Sequence, residues 1–89
     1  MQIYRVTAKI QYLNIKGNTR TAEFSIDDCQ SMSGEDNIRR EALTRWLDSQ
    51  HAPVGIVRSD VTDWISFKAE QWTDEERSEK HGAIQKGLF

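Results

Sequence analysis

Residues Ser33–Gln50, SGEDNIRREALTRWLDSQ, have the pattern of an amphipathic helix, and the rest of the chain is arranged around them. Ser33 followed by Asp36 resembles a capping box and predicts where the helix begins. Ala52-Pro53 predicts its end, because the residue before proline favours extended backbone. The apolar residues of the helix recur at spacings that place them on one face; they are Ile38, Ala42, Leu43, Trp46 and Leu47.

Two alternating segments before the helix predict a β-hairpin. Apolar and polar residues alternate from Tyr4 to Tyr12 and again from Ala22 to Ile26, which is typical of half-buried strands. Residues 16–18 (Lys-Gly-Asn) supply the turn, because Gly and Asn tolerate positive φ. Asp27–Met32 is then predicted as a polar connection. The solvent face of the hairpin is predicted to carry three cations, Arg5, Lys9 and Arg20.

Two further strands are predicted after the helix. Residues 54–57 contain a short β-branched run, and Val61–Glu70 alternates in polarity. This alternation places Trp64 on the sheet face opposite Ile65 and Phe67. An exposed tryptophan in that position would be typical of an interface anchor. The alternative is that the C-terminal segment folds back and covers it.

The element order predicts an α+β fold with a single antiparallel sheet (ββαββ) and one amphipathic helix packed on one face. Thr73 with Glu76 forms a second capping box, so a polar C-terminal helix or tail should follow, ending near Gly82. We expect one domain over residues 1–89, with the ββαββ core in residues 1–72 and the polar helix or tail in residues 73–89. Three apolar residues of that tail could dock on the core: Ile84, Leu88 and Phe89.

Composition is that of an ordinary globular chain, with 37% hydrophobic and 29% charged residues. No apolar run reaches the roughly 18 residues of a membrane span, and the N-terminus lacks the apolar segment of a signal peptide. A cytoplasmic location is therefore expected. Residues 59–80 contain 7 acidic and 3 basic residues, which argues against nonspecific duplex binding by the whole surface.

Residue types that support catalysis or bind metals are few and scattered. The single Cys29 has no histidine at a recognisable spacing, and a lone cysteine is usually a small apolar filler. His51 and His81 match no zinc spacing, and Asp27-Asp28 fits no calcium-loop pattern. We therefore expect no enzyme activity, no cofactor, no metal and no small-molecule substrate.

Arginine gives a better signal for binding. Arg39, Arg40 and Arg45 fall mostly on the polar side of the predicted helix. Like the hairpin cations, they either form a solvated face or contact phosphates or acidic protein, since the planar guanidinium binds oxyanions bidentately.

Three segments carry a resemblance to a known family. They are MQIYRVTAKIQYLNIKGNTRTAEFSI (residues 1–26), NIRREALTRWLDSQ (residues 37–50) and DVTDWISFKAEQW (residues 60–72). Together, in a compact chain, they resemble the small anti-CRISPR proteins of phages, particularly those acting on the type I-F RNA-guided surveillance complex. That family shares no motif, so the resemblance concerns the whole chain and assigns no residue a role.

The resemblance implies a stoichiometric inhibitor in the cytoplasm of the bacterial host. Such proteins bind the Cas proteins of the complex, some also touch the guide RNA, and they keep target DNA from hybridising or being recruited. Two alternatives remain open. One is a single-stranded nucleic-acid binder in which Tyr4, Tyr12 and Trp64 stack on bases. The other is an adaptor or virion component that acts through protein contacts alone.

Overall fold

The computed structural model describes residues 2–78, which form three strands and two helices. The order along the chain is β1 (Gln2–Leu13), β2 (Thr19–Ser31), α1 (Glu35–Asp48), β3 (Val61–Gln71) and α2 (Asp74–Arg77). A short 3-10 helix, Arg58–Asp60, leads into β3. The α+β class predicted from the sequence is confirmed, with an antiparallel sheet and one amphipathic helix packed on one of its faces.

The sheet has β1 in its centre, with β2 and β3 at its edges. β1 and β2 are joined by a tight turn in which Gly17 has a φ of 82°, a conformation that costs glycine no steric strain. Because β1 has a neighbour on each side, its inward side chains form the middle of the core. All of them are buried: Tyr4, Val6, Ala8, Ile10 and Tyr12.

Helix α1 covers one face of the sheet and packs mainly on β2. Its buried residues are Ile38, Ala42, Leu43 and Trp46, all members of the predicted apolar face. The Trp46 ring stacks on Phe24 of β2, with centroids 5.1 Å apart and planes inclined by 15°. The predicted apolar face and its place against the sheet are confirmed.

The helix begins later than predicted. Gly34 is the N-cap residue with a φ of 117°, and no side chain caps the first turn. The backbone turns at Gly34 through a conformation that L side chains rarely adopt, so Ser33 lies outside the helix and the predicted capping box is wrong. The Asn37 side-chain amide instead donates to the Ser33 carbonyl at 3.1 Å.

Two predictions about strands are wrong. β2 continues to Ser31, so Asp27–Met32 is mostly strand; a bulge sets Asp27 and Asp28 against one residue of β1. Residues 54–57 are turn and irregular backbone rather than a fourth strand. Gly55 has a φ of 87°, and an extended strand cannot continue through that conformation.

After β3 the chain folds back across the sheet. The Trp72 indole is buried, and its Nε1 donates to the Asp27 carbonyl of β2 at 2.7 Å. The predicted capping box is confirmed, because the Glu76 amide donates to the Thr73 hydroxyl at 3.1 Å and Glu76 reaches back to the Thr73 amide at 3.3 Å. The predicted helix end near Gly82 and the docking of Ile84, Leu88 and Phe89 lie outside the described residues.

Candidate interaction surface

Trp64 lies on the helix-covered side of the sheet, which corrects its expected position on the opposite face. The pairing of β3 with β1 shifts register after Lys9 and leaves Ile65 without a partner residue. This bulge reverses the alternation, so Trp64 and Phe67 share a face. The Trp64 ring contacts Phe24 and Phe67 edge to face, at centroid distances of 6.2 and 5.8 Å. Ile65 is the half-exposed residue instead.

Arg39 reaches inward over the rings of β3. Its guanidinium carbon lies 5.4 Å from the centroid of Trp64 and 4.8 Å from that of Phe67. Nη2 also binds Glu35 Oε1, one helical turn earlier, at 2.5 Å. Arg39 therefore stabilises the packing of α1 on β3, and its expected place on the polar side of the helix is corrected.

Arg45 joins α1 to the bulge of β2. Its Nη2 lies 2.8 Å from Asp28 Oδ1, and its Nη1 donates to the Asp28 carbonyl at 2.6 Å. The guanidinium thus satisfies both a carboxylate and a carbonyl where the strand pairing is interrupted. Its donors that point at β2 are already used within the fold.

The hairpin cations Arg5 and Lys9 are also paired. Arg5 Nη2 binds Glu76 Oε2 at 2.6 Å, and Arg5 Nη1 lies 4.0 Å from Glu70 Oε2. The hydrogen bond to Glu76 raises the pKa of Arg5, and the same bond lowers the pKa of the Glu76 carboxyl. Lys9 Nζ lies 3.8 Å from Glu23 Oε1. This surface alternates in charge rather than forming a basic patch.

Arg20 and Arg40 are exposed, and within residues 2–78 neither guanidinium has an ion-pair partner. Arg20 sits opposite Tyr12, whose side chain belongs to the helix-covered face. Arg20 is therefore not on the same face as Arg5 and Lys9, contrary to the prediction. The seven residues proposed from the sequence thus lie on separate surfaces.

The structure places a different group of residues together at the hairpin end of the molecule. We call Ile15, Val54 and Val57 the loop patch. The Ile15 side chain lies against the Gly55 backbone, where its Cγ2 would be 2.8 Å from any added Cβ. The three side chains are 76%, 92% and 57% exposed. Gly55 lies between Val54 and Val57 in the chain, so its contact with Ile15 brings the loop that carries both valines against the hairpin turn. Exposed apolar side chains on adjoining loops are a feature of contact sites for other proteins.

Arginines border the loop patch. Arg58 follows Val57 directly, and its Nη2 donates to the Thr44 hydroxyl and, at 3.4 Å, to the Arg40 carbonyl. Arg40 and Arg58 are therefore neighbours across α1 and the 3-10 helix. Arginine beside apolar residues is the composition enriched in protein interfaces. The sequence contained a signal for this patch, since Pro53 and Gly55 flank Val54 and favour a turn over a strand.

The aromatic residues suggested for base stacking do not form an exposed platform. Tyr4 and Tyr12 are buried, and Trp64 is packed between other rings. Cys29 is fully buried, and this burial raises the pKa of its thiol. It packs as the apolar filler that the sequence predicted.

Within residues 2–78, no three His, Cys, Asp or Glu side chains are grouped in a way that could hold a metal ion. Neither helix of this part of the chain has the length and apolar character needed to cross a bilayer. Compared with protein-family models, with curated proteins and with solved structures, the chain matches none of them.

Proposed function

We propose that this protein is a phage-encoded inhibitor that binds the type I-F CRISPR surveillance complex and blocks its binding of target DNA. The target comes from the resemblance of residues 1–26, 37–50 and 60–72. The mode of action, binding without catalysis, is supported by the loop patch. The proposal places the protein in the cytoplasm of the bacterial host, where it would help a phage to evade immunity.

The loop patch is the observation that carries the proposal. Val54 is 92% exposed although it is β-branched and apolar, so water contacts nearly all of a side chain that favours burial. Covering such side chains with a partner's surface is favourable by about 25 cal/mol per Å² of apolar area removed from water. The flanking Arg40 and Arg58 can hydrogen-bond to acidic groups at the rim of such a contact.

The other cations fit a partner less well. Arg5, Lys9 and Arg45 each lie beside a carboxylate of this chain, and Arg39 lies over two aromatic rings. Binding a partner through them would first require these contacts to be exchanged. We therefore assign the Cas-protein contact to the loop patch, with Arg40 as the sequence-proposed residue whose carbonyl accepts from Arg58 beside it.

The central experiment measures binding to the purified type I-F complex and inhibition of its binding to target DNA. We expect wild-type protein to be retained by the complex and to reduce DNA binding. Val54→Asp should weaken both by about 10-fold or more, since a desolvated carboxylate would replace an apolar contact. Met32→Asp is the matched control, because Met32 is 68% exposed and lies away from the loop patch.

The outcomes separate the target from the surface. If the wild-type protein neither binds the complex nor protects phage from interference, the proposed function is wrong. If the wild type binds but Val54→Asp and Met32→Asp behave alike, the complex is the target and another surface makes the contact.

The nucleic-acid alternative is tested by fluorescence anisotropy with bare single-stranded oligonucleotides. Binding that falls steeply with salt would support that alternative, because it reports release of counterions from phosphates. The buried positions of Tyr4 and Tyr12 deprive that mode of its stacking platform.

A further inference from the structure

The outer edge of β2 is the most regular free edge of the sheet. β2 pairs with β1 without a register shift from Thr19 to Ile26, whereas the pairing of β3 with β1 shifts twice. In the described residues no strand lies beyond β2. An edge strand of this kind presents unpaired backbone groups to which a further strand can bond.

A groove runs along this edge. It has a volume of about 370 Å³ and is lined by residues 22–26 of β2 and by Trp46, His51 and Pro53 opposite them. Five consecutive residues line it, so side chains from both faces of the strand border it. The groove therefore opens at the edge of β2, and its apolar wall could receive one side chain of an added strand.

The charge of β2 indicates which partner fits. After Arg20, the strand contains three carboxylates, Glu23, Asp27 and Asp28, and no basic residue. Lys9 and Arg45 of this chain lie beside Glu23 and Asp28, but the two carboxylate side chains stay 75% and 54% exposed, more than the cations that pair with them. A second copy of β2 paired antiparallel about Ser25 would set Glu23 against Asp27, and like charges directly opposite are destabilising. Phosphates would be repelled by the same carboxylates, whereas lysine or arginine side chains would be attracted.

We propose that residues 22–26 accept an extended segment of a partner protein as a fourth strand, with alternating basic and apolar side chains. The backbone bonds would supply affinity, and the groove and carboxylates would supply selectivity. This inference does not depend on the proposed target, because it is argued from the edge of β2 and its groove and not from the loop patch, whose Val54 follows the groove residue Pro53.

The probe is a capped nonapeptide of alternating lysine and valine, added to the full-length ¹⁵N-labelled protein. Binding should shift the amide signals of residues 22–26 and slow their hydrogen exchange. A peptide with glutamate for lysine should bind at least about 10-fold more weakly. Backbone N-methylation of the lysine peptide should abolish binding, since it removes the donors of the ladder.

Glu23→Lys tests the charge, and Asp63→Lys on β3 is its matched control, because both change the net charge equally on an edge strand. Only Glu23→Lys should weaken binding, by about 5-fold or more. The proposal is overturned if the lysine peptide does not bind or protects amides elsewhere. It is also overturned if the N-methylated peptide binds equally well, or if residues 22–26 become protected by self-association without peptide.

Discussion

Two apolar regions of this molecule differ in what covers them. Under α1, Phe24 stacks on Trp46 and meets Trp64 edge to face, and α1 shields the group from solvent. At the hairpin end, Val54 and the rest of the loop patch have similar apolar character but are largely exposed. Helix spacing and strand alternation brought the first group inside. The second includes two valines that flank the turn through the positive φ of Gly55, and it stays in contact with solvent.

Whether an apolar residue is buried in the core or exposed at the surface therefore depends on the backbone that carries it, and not on its residue type alone. The same holds for the adjacent arginines of α1. Arg39 lies over Trp64 and Phe67, while the exposed Arg40 has no ion-pair partner among residues 2–78. Substitutions in the core should therefore lower stability, and substitutions in the loop patch should affect binding.

The largest expected effect is that of Phe24→Ala. Removing the ring leaves a cavity between Trp46 and Trp64, and such truncations in a core cost about 3–5 kcal/mol. Urea denaturation followed by tryptophan fluorescence would measure the loss. A loss of less than about 1 kcal/mol in the free energy of unfolding would mean that the side chains around Phe24 rearrange to fill the cavity. The core under α1 would then differ less from the loop patch than the structure indicates.

Trp64→Ala should be destabilising by about 2 kcal/mol, less than Phe24→Ala because Trp64 is only partly buried. Strand alternation left open that Trp64 is an exposed anchor, and its removal would then spare the fold and weaken a partner contact. Thermal unfolding and partner binding of the same variant decide between these expectations. Unchanged stability with weakened binding would restore Trp64 as an interface residue.

Arg39→Gln and Arg40→Gln form a matched pair on neighbouring positions. Arg39→Gln should cost about 1 kcal/mol, because the cation–π contacts with Trp64 and Phe67 are lost. Arg40→Gln should change stability by less than about 0.5 kcal/mol, since its side chain is exposed. Equal effects in denaturation experiments would show that the contacts over the rings contribute little.

The parts of the fold that depend on local periodicity could be predicted from the sequence. Ile38, Ala42, Leu43 and Trp46 lie where the helical spacing placed them. A helix on the surface of a sheet buries one face, so its apolar residues recur at helical spacing. The hairpin followed from strand alternation around Gly17 for the same reason. Burial on one face of a helix or strand produces a periodic spacing of apolar residues in the sequence.

The bulge at Ile65 is not marked by any such periodic spacing. It depends on how β3 pairs with β1, more than fifty residues earlier. A single unpaired residue exchanges the faces of the residues that follow it, up to the next shift in register. The predicted interface was misplaced at Trp64 for this reason. The position of Arg39 likewise depends on which rings lie beneath α1. In residues 54–57 the β-branched run predicts a strand while Pro53 and Gly55 favour a turn, and the turn forms.

A smaller effect is expected at the C-terminal contact of Arg5 with Glu76. The bond lowers the pKa of Glu76, so the stability it contributes is present above the unfolded pKa of about 4.3. It is lost as pH falls through the lower folded value. Glu76→Gln should therefore reduce the melting temperature slightly at pH 7 and not in acid. Gln retains the capping box, and a difference that persists in acid would have another origin than the carboxylate charge.

The smallest effect on stability is expected for Val54→Asp. A carboxylate buried in the core would be severely destabilising. Val54 is 92% exposed, so the carboxylate of the introduced aspartate would remain hydrated. Its free energy of unfolding should stay within about 0.5 kcal/mol of wild type, measured by urea denaturation in the same series as Phe24→Ala. A loss of several kcal/mol would mean that Val54 is covered within the protein, and the loop patch would then belong to the core. With stability retained, any loss of partner binding by Val54→Asp arises at the contact surface itself.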